Sequence, residues 1–141
     1  MSAVNPKVET PVSVVELTPR GILLWRYKER SIVTLTEAKE EADAIRDLLN
    51  EHWSGECWLL IDISEIQSIN REARKFFSSE EVHSAFKIQG LALVMGSPIS
   101  TMIGNIYHKI NKTKHPTKLF VDEDGARLWL DDQVDRQFSD D

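Results

Sequence analysis

The sequence predicts an α/β fold built on a mostly parallel five-stranded sheet, with an antiparallel first strand and four main helices. Strand-type segments alternate with amphipathic helical segments in the order β-β-α-β-α-β-α-β-α. Two strand segments, 57–63 and 91–95, are almost entirely apolar, which is typical of parallel strands buried on both faces. The helical segments, roughly 10–17 residues each, are long enough for right-handed crossovers between parallel strands.

The first two strands are predicted to form an antiparallel hairpin. Residues 12–17 and 22–28 are rich in β-branched, aromatic and other apolar side chains. The turn-forming sequence Pro19-Arg20-Gly21 separates them. In this interpretation residues 31–35 extend the second strand.

The first helix is predicted over residues 37–53. Thr36 is suited to the N-cap position and Glu37 to the first helical turn. The apolar side chains that follow recur at helical spacing and define one buried stripe, composed of Ala38, Ala42, Ile45, Leu49 and Trp53.

The second helix is predicted to begin at an Asn70 cap and to bend. Its inward side chains are Ala73, Phe76 and Phe77. A second cap-like sequence at 78–81 indicates that the helix restarts there and continues to Phe86.

The third helix carries the strongest helical periodicity of the chain. Ser97 followed by Pro98 is a typical helix start, and Pro116 ends the segment. The predicted buried stripe consists of Ile99, Met102, Ile103, Ile106, Tyr107 and Ile110. The pattern ends with a strand over 118–121 and a last helix. That helix begins within residues 122–124 and directs Ala126, Trp129 and Leu130 inward.

The length and composition predict one globular domain. The chain has 141 residues, 41% of them apolar, which suffices for a hydrophobic core. We expect a flexible lead-in over 1–11, a single domain over 12–131 and an acidic tail over 132–141. The sequence contains no apolar run of membrane-spanning length and no signal-peptide pattern, so a cytoplasmic protein without a membrane span is expected.

Charge is strongly segregated along the chain. The net charge is −6, yet residues 82–121 contain five lysines and no acidic residue. One interpretation is an anion-binding surface formed by Ser97, Lys109, Lys112 and Lys114. The other is an ordinary helix cap followed by a solvated lysine loop. Nucleic acid is not expected as a partner, because the lysine-rich patch holds a single aromatic residue, Tyr107, which falls on a helical apolar stripe.

Few side chains suggest chemistry. The sequence has no glycine-rich phosphate loop and no metal-ligand spacing among its four histidines, so no cofactor is expected. The single cysteine, Cys57, begins a predicted strand and is interpreted as a small buried hydrophobe. Asp62 follows a buried strand, where it either marks a ligand site at the sheet edge or accepts hydrogen bonds that fix a turn.

Several motifs together resemble the STAS family, the SpoIIAA-like fold of anti-anti-sigma factors. They are VTLTEAKEEADAI, LLIDISEIQSINREARKFF, LALVMGSPISTMIGNIY and PTKLFVDEDGARLWL, and they cover about residues 12–131. The likeness is greatest to small stand-alone bacterial proteins of this type, many of them uncharacterised. The resemblance implies a β/α superhelix, which is also seen in CRAL-TRIO lipid carriers.

The resemblance also implies where a partner would bind. Classical members carry an Asp-Ser-Ser-Gly motif whose phosphorylated serine switches partner binding, and by spacing from Asp62 this motif falls on Asn70-Arg71-Glu72-Ala73. Glu72 occupies the acceptor position and has no hydroxyl to phosphorylate, while Ser68 lies shortly before it. The partner-binding residues implied are Asp62, Ser68, Asn70, Arg71 and Glu72.

Two functions remain open at this stage. The first is a non-enzymatic regulatory module that binds a protein partner and lacks the classical serine switch. The alternative is a small-molecule or lipid-binding module of the CRAL-TRIO type, holding a small apolar ligand. No catalytic constellation in the sequence supports an enzyme.

A homodimer is expected from the strand patterns. Both alternating faces of the strands at 22–28, 57–63 and 91–95 are apolar. If all helices lay on one face of the sheet, the other face would need a cover, and a second copy of the chain would supply it. The predicted dimer face has Trp25 or Tyr27 near its centre.

Overall fold

The computed structural model describes residues 4–111 and 115–139. Eight strands and five helices follow one another in this part of the chain. They are β1 (Lys7–Glu9), β2 (Ser13–Leu17), β3 (Ile22–Tyr27), β4 (Ser31–Val33), α1 (Leu35–His52), β5 (Cys57–Asp62), β6 (Ile66–Ile69), α2 (Arg71–Phe77), α3 (Glu80–Phe86), β7 (Ile88–Val94), α4 (Pro98–Asn111), β8 (Thr117–Phe120) and α5 (Glu123–Ser139).

The predicted α/β architecture is confirmed, with one additional strand in the main sheet. The strand order is β1-β2-β3-β5-β7-β8, in which β3, β5, β7 and β8 are parallel and β1 and β2 add antiparallel pairs. The sheet therefore has six strands rather than five. The added strand, β1, lies within the predicted flexible lead-in 1–11, so the expectation of irregular structure is wrong for residues 7–9.

The segment after β3 does not extend that strand. Arg30 adopts a left-handed φ of 58°, and the Ser31 hydroxyl donates to the carbonyl of Val12 at 2.9 Å. The chain thus turns away, and β4 pairs in parallel with β6 in a separate two-stranded sheet. β6 was not predicted from the sequence, because this four-residue strand carries two exposed polar residues, Gln67 and Ser68.

Helix boundaries follow the capping side chains. Thr34, rather than the predicted Thr36, is the N-cap of α1. The backbone N–H of Thr34 donates to the Glu37 carboxylate at 2.9 Å. The Asn70 cap is confirmed, since its Oδ1 accepts from Ala73 N at 2.9 Å. The predicted bend is a complete break, because Ser79 caps a separate helix α3, so the described residues form five helices rather than four.

The last helix is longer than predicted. α5 continues through the predicted acidic tail 132–141 as far as Ser139. Val134 within that segment is only 1% exposed and packs in the core. The prediction of a tail is wrong for residues 132–139. Val134 lies one helical turn beyond Leu130 and two beyond Ala126, so all three side chains fall on the same buried face of α5.

Both faces of the main sheet are covered by helices. The predicted alternation is confirmed: Leu23, Trp25 and Tyr27 belong to one apolar cluster, and Ile22 and Leu24 to the other. The first cluster is completed by side chains from α1, α2, α3 and α4. The second is covered by Ala126, Leu130 and Val134 of α5. The three crossovers place their helices on one face, whereas α5 follows the edge strand β8 and folds back over the other.

The predicted dimer face is therefore wrong. Trp25 and Tyr27 are 3% and 7% exposed within a single chain, buried beneath α1, α2 and α3. The dimer was predicted because one face of the sheet was expected to lack helices. Both faces carry helices, since α5 covers the face opposite to α1, α2 and α3. The predicted homodimer loses the premise on which it rested.

The stripe predicted for α4 is only partly buried. Ile103 is 2% exposed, but Ile99 and Met102 are 46% and 57% exposed, so the prediction is wrong for these two. α4 packs against β6 and β8 at the margin of the sheet and therefore buries a narrower strip than its periodicity suggests. The side chains of Tyr107 and Ile110 lie outside the described part.

Candidate functional site

The carboxyl edge of the parallel strands is closed by hydrogen bonds within the chain. Asp62, at the end of β5, accepts from the backbone N–H and the hydroxyl of Ser64 at 2.9 and 2.5 Å. These are the contacts of a carboxylate that fixes a turn. Beside it, Arg26 forms a two-pronged ion pair with Glu123, at 3.0 and 2.5 Å. Hydrogen bonding to this guanidinium lowers the pKa of Glu123.

The two described residues of the predicted anion site, Ser97 and Lys109, are not brought together. Ser100 is fully buried, and its hydroxyl accepts from the backbone N–H groups of Gly96 and Ser97 at 2.9 Å each. The amides just before α4 are thus already satisfied, and within its first turn the N–H of Ser100 donates to the Ser97 hydroxyl at 3.0 Å. Lys109 lies twelve residues beyond Ser97, which is roughly 18 Å along a helix. The other two candidates, Lys112 and Lys114, lie outside the described residues.

The end of β6 and the start of α2 present several predicted site residues on one exposed segment. Ser68, Asn70, Arg71 and Glu72 are all solvent-exposed. The backbone beneath them is well fixed, because the N–H of Asn70 donates to Val33 O at 3.0 Å and its side chain caps α2. A rigid backbone that displays exposed polar side chains is suited to contact with a partner.

One side of α2 carries a cluster of positive charge, which we call the basic shelf. It consists of Arg71, Arg74, Lys75 and the neighbouring Ser78. The three cations follow the i, i+3, i+4 spacing that places side chains on one helix face. Nη1 of Arg74 donates to the carbonyl of Ile69 at 2.8 Å. Sequence reasoning singled out Arg71 but missed the shelf, whose signal was this spacing.

The other side of α2 borders a groove between α1 and the α2–α3 pair, which we call the α1–α3 groove. Its floor is apolar and its rims are charged with both signs. Lining residues are Leu35, Lys39, Ala42, Asp43, Arg46, Glu72, Lys75, Phe76, Glu81, Val82, Ala85 and Phe86. Glu72, which the resemblance predicts to occupy the phosphate-acceptor position, lines this groove, and Lys75 of the basic shelf lines it too.

A fully buried carboxylate joins α1 to the sheet. Glu41 is 0% exposed, and its oxygens accept from the Ser13 hydroxyl at 2.7 Å, the Trp25 indole N–H at 2.9 Å and the Tyr27 hydroxyl at 3.1 Å. Burial raises its pKa to about 7 despite these bonds. Sequence reasoning missed Glu41, although it falls on the apolar stripe between Ala38 and Ile45.

The apolar cavity beneath the helices of the first face is small. It measures about 50 Å³ and lies between the sheet and α2–α4, against Trp25, Phe77, Phe86 and Ile103. An engineered cavity of about 150 Å³ in another protein accepts benzene, so this one holds only a few water-sized molecules. An acyl chain would require the core to open, and the lipid-binding alternative is not favoured.

The single cysteine is buried, as the sequence predicted. The thiol of Cys57 donates to Phe86 O at 3.2 Å, and burial raises its pKa to about 12. A thiol in this state is a poor nucleophile at neutral pH. Within residues 4–111 and 115–139, no three His, Cys, Asp or Glu side chains are grouped so as to hold a metal ion. None of the helices in that part is long and apolar enough to cross a membrane.

Comparisons with known proteins agree with the fold. A family model described as "Domain of unknown function (DUF7793)" matches residues 15–134. Among solved structures, the chain is similar to an uncharacterized protein of the DUF3478 family with a SpoIIAA-like fold from Shewanella loihica PV-4. The identity is 15%, the TM-score is 0.61, and the match covers 92% of this chain and 98% of that one. No curated protein matches the chain significantly. The resemblance to the SpoIIAA-like fold is thus confirmed.

Proposed function

The chain belongs to the DUF7793 family, and we propose that it acts as a non-enzymatic regulatory module that binds a protein partner through the exposed start of α2. The SpoIIAA-like fold of the chain supports a STAS-type module. The observation that carries the proposal is the β6–α2 segment. Its backbone is fixed by the Asn70 cap, while Ser68, Arg71 and Glu72 extend into solvent.

The buried and partly buried polar groups are consistent with this proposal. Asp62, Glu123 and Glu41 are each engaged by side chains of the same chain, and Cys57 carries a raised pKa. These groups therefore contribute to the fold. The exposed charges near α2 are the groups available to a second protein.

Regulation by phosphorylation at the classical position is not part of the proposed function. The acceptor position is occupied by Glu72, whose side chain carries one negative charge rather than the nearly two of a phosphoserine. After incubation with host lysate and ATP, we expect intact mass measurement to find no stoichiometric phosphate within residues 64–79. A phosphorylated Ser68 would contradict this and restore a serine switch at a shifted site.

Site-specific photo-crosslinking in the native host tests the proposed surface. A photoreactive residue is introduced in place of Ser68 or Glu72 and, as a matched control, in place of the exposed Asp132 on α5. We expect one discrete heteromeric adduct from the two α2-side positions and none from position 132. Adducts of equal yield at all three positions, or none at any, would refute the proposed surface.

A further inference from the structure

The basic shelf is a concentration of positive charge in an acidic protein. Within the described residues, no ion pair involves Arg71 or Lys75. Like charges at i, i+4 on a helix repel each other by a few tenths of a kcal/mol. An anionic group of a partner would relieve the repulsion within this cluster.

Arg74 is positioned to receive such a group. Its Nη1 is held by the carbonyl of Ile69 at 2.8 Å, which fixes the guanidinium at the turn before α2. The remaining guanidinium donors can form paired hydrogen bonds with a carboxylate or phosphate. Arg71 and Lys75 are exposed on either side in the helical spacing, and Ser78 completes the shelf.

The shelf continues directly into an apolar surface. Lys75 borders both the shelf and the α1–α3 groove, whose floor includes Leu35, Phe76 and Val82. A partner bound on the shelf therefore meets apolar surface immediately beside it. The complementary partner carries an acidic group next to an apolar side chain.

The charges around the groove select among anionic partners. Asp43, Glu72 and Glu81 line the same groove as the apolar floor, and the whole chain carries a net charge of −6. An extended polyanion would meet these carboxylates and be repelled. A short acidic segment that continues into apolar residues satisfies the shelf without approaching the acidic rim.

We propose that the basic shelf and the α1–α3 groove bind an acidic, partly apolar peptide segment of a partner protein. The Asp or Glu side chains of that segment contact Arg71, Arg74 and Lys75, and an adjacent apolar side chain enters the groove. The inference rests on the proposed function and specifies the chemistry of the partner.

Selection from a displayed random peptide library tests this chemistry without a known partner. The wild-type protein is the bait, and the enriched peptides are then measured in solution by fluorescence anisotropy. We expect them to carry net negative charge together with apolar residues. Their Kd should rise about tenfold or more, roughly 1.4 kcal/mol or more, in the Arg71→Glu/Lys75→Glu variant.

A control variant separates local from general charge effects. Lys118→Glu/Arg127→Glu changes the net charge equally on β8 and α5, with both positions exposed, and should leave Kd within about twofold. Raising the salt to about 1 M should weaken binding to the wild type, because exposed charges are then screened beyond about 3 Å. Circular dichroism of both variants confirms that each is folded.

Three outcomes would overturn the inference: enrichment of neutral or basic peptides, equal loss of affinity in both double variants, or no enrichment above background. None of them alone refutes the proposed function. If photo-crosslinking at positions 68 and 72 still gives a discrete adduct, the surface stands and only the acidic character of the partner is wrong. If crosslinking also fails, both proposals fall.

Discussion

The two faces of the central sheet are stabilised in different ways. On one face, side chains from α1, α2, α3 and α4 pack on β3, β5 and β7 around the buried Glu41. On the other, the single helix α5 covers the sheet with three buried side chains and the partly buried Trp129, and ion pairs join Arg20 and Arg26 to that helix. The first face distributes its packing over four helices, whereas the second depends on one.

This difference separates buried polar groups, which contribute to the fold, from exposed ones. The first face contains a buried carboxylate at its centre and carries the exposed α2 segment on its outer surface. The second face has an apolar interior, and its charged contacts lie at the helix surface, where Arg20 is paired with Asp131 and Asp135. Exposed pairs of this kind contribute little stability, so α5 is held chiefly by apolar contact.

The largest effect is expected at Trp25. Trp25→Ala removes a buried ring that packs edge-on against two phenylalanines, with ring centroids 5.3 Å from Phe77 and 6.5 Å from Phe86. It also removes the indole N–H that donates a hydrogen bond to Glu41. We expect the free energy of unfolding to fall by about 3–5 kcal/mol in urea denaturation. Trp25→Phe, which retains most of the packing, should cost less. A loss below about 1 kcal/mol for the alanine variant would show that Trp25 is not a central packing residue.

The α5 face should respond to loss of its central leucine. Leu130 is 0% exposed, and Leu130→Ala should lower the free energy of unfolding by about 2–4 kcal/mol. Leu128 on the same helix is 73% exposed, so Leu128→Ala is a matched control with an expected cost below about 0.5 kcal/mol. Equal costs at the two positions would mean that α5 does not cover the sheet in this register.

Glu41 should make stability depend on pH. Its pKa is about 7 in the folded chain and 4.5 ordinarily, so between these values the unfolded chain releases a proton that the folded chain keeps. The stabilising contribution of the protonated group is complete below pH 4.5 and is lost as the pH rises to about 7. The total loss is on the order of 3 kcal/mol.

Glu41→Gln tests this directly by urea denaturation at several pH values. The amide is a neutral hydrogen-bonding group at every pH. The free energy of unfolding of the variant should therefore not fall between pH 4.5 and 7, and the variant should be more stable than the wild type above pH 7. Glu40→Gln, on the exposed side of α1, is the control and should retain the wild-type slope. An unchanged slope in Glu41→Gln would exclude Glu41 as its source.

The smallest effect is expected at the margin of the first face. Met102 is 57% exposed on α4, and Met102→Ala should change the free energy of unfolding by less than about 0.5 kcal/mol. The adjacent Ile103 is 2% exposed, and Ile103→Ala should cost about 2–5 kcal/mol. Comparable losses at both positions in urea denaturation would contradict the observed rotation of α4.

The candidate site could be predicted only where local chemistry determined it. The Asn70 cap and the break at Ser79 depend on side chains that bond to amides three residues away, so the sequence indicated them correctly. The spacing of the basic shelf was visible in the sequence, but its surface was not, because whether Arg71 and Lys75 form ion pairs depends on the whole fold. The grouping of Ser97 with Lys109 was wrong because the two residues lie at opposite ends of one helix.

By itself, the sequence determined the α/β class, the hairpin and the partition of β3, β5 and β7 into two apolar faces. Alternation along a strand is a local property, so Leu23 and Trp25 had to face away from Ile22 and Leu24. Only the tertiary structure decided what covers each face. α5 follows an edge strand and is not constrained by a crossover, so either face was open to it until packing selected one. Likewise Glu41 resembled an ordinary surface glutamate until Ser13, Trp25 and Tyr27, distant in sequence, supplied its donors.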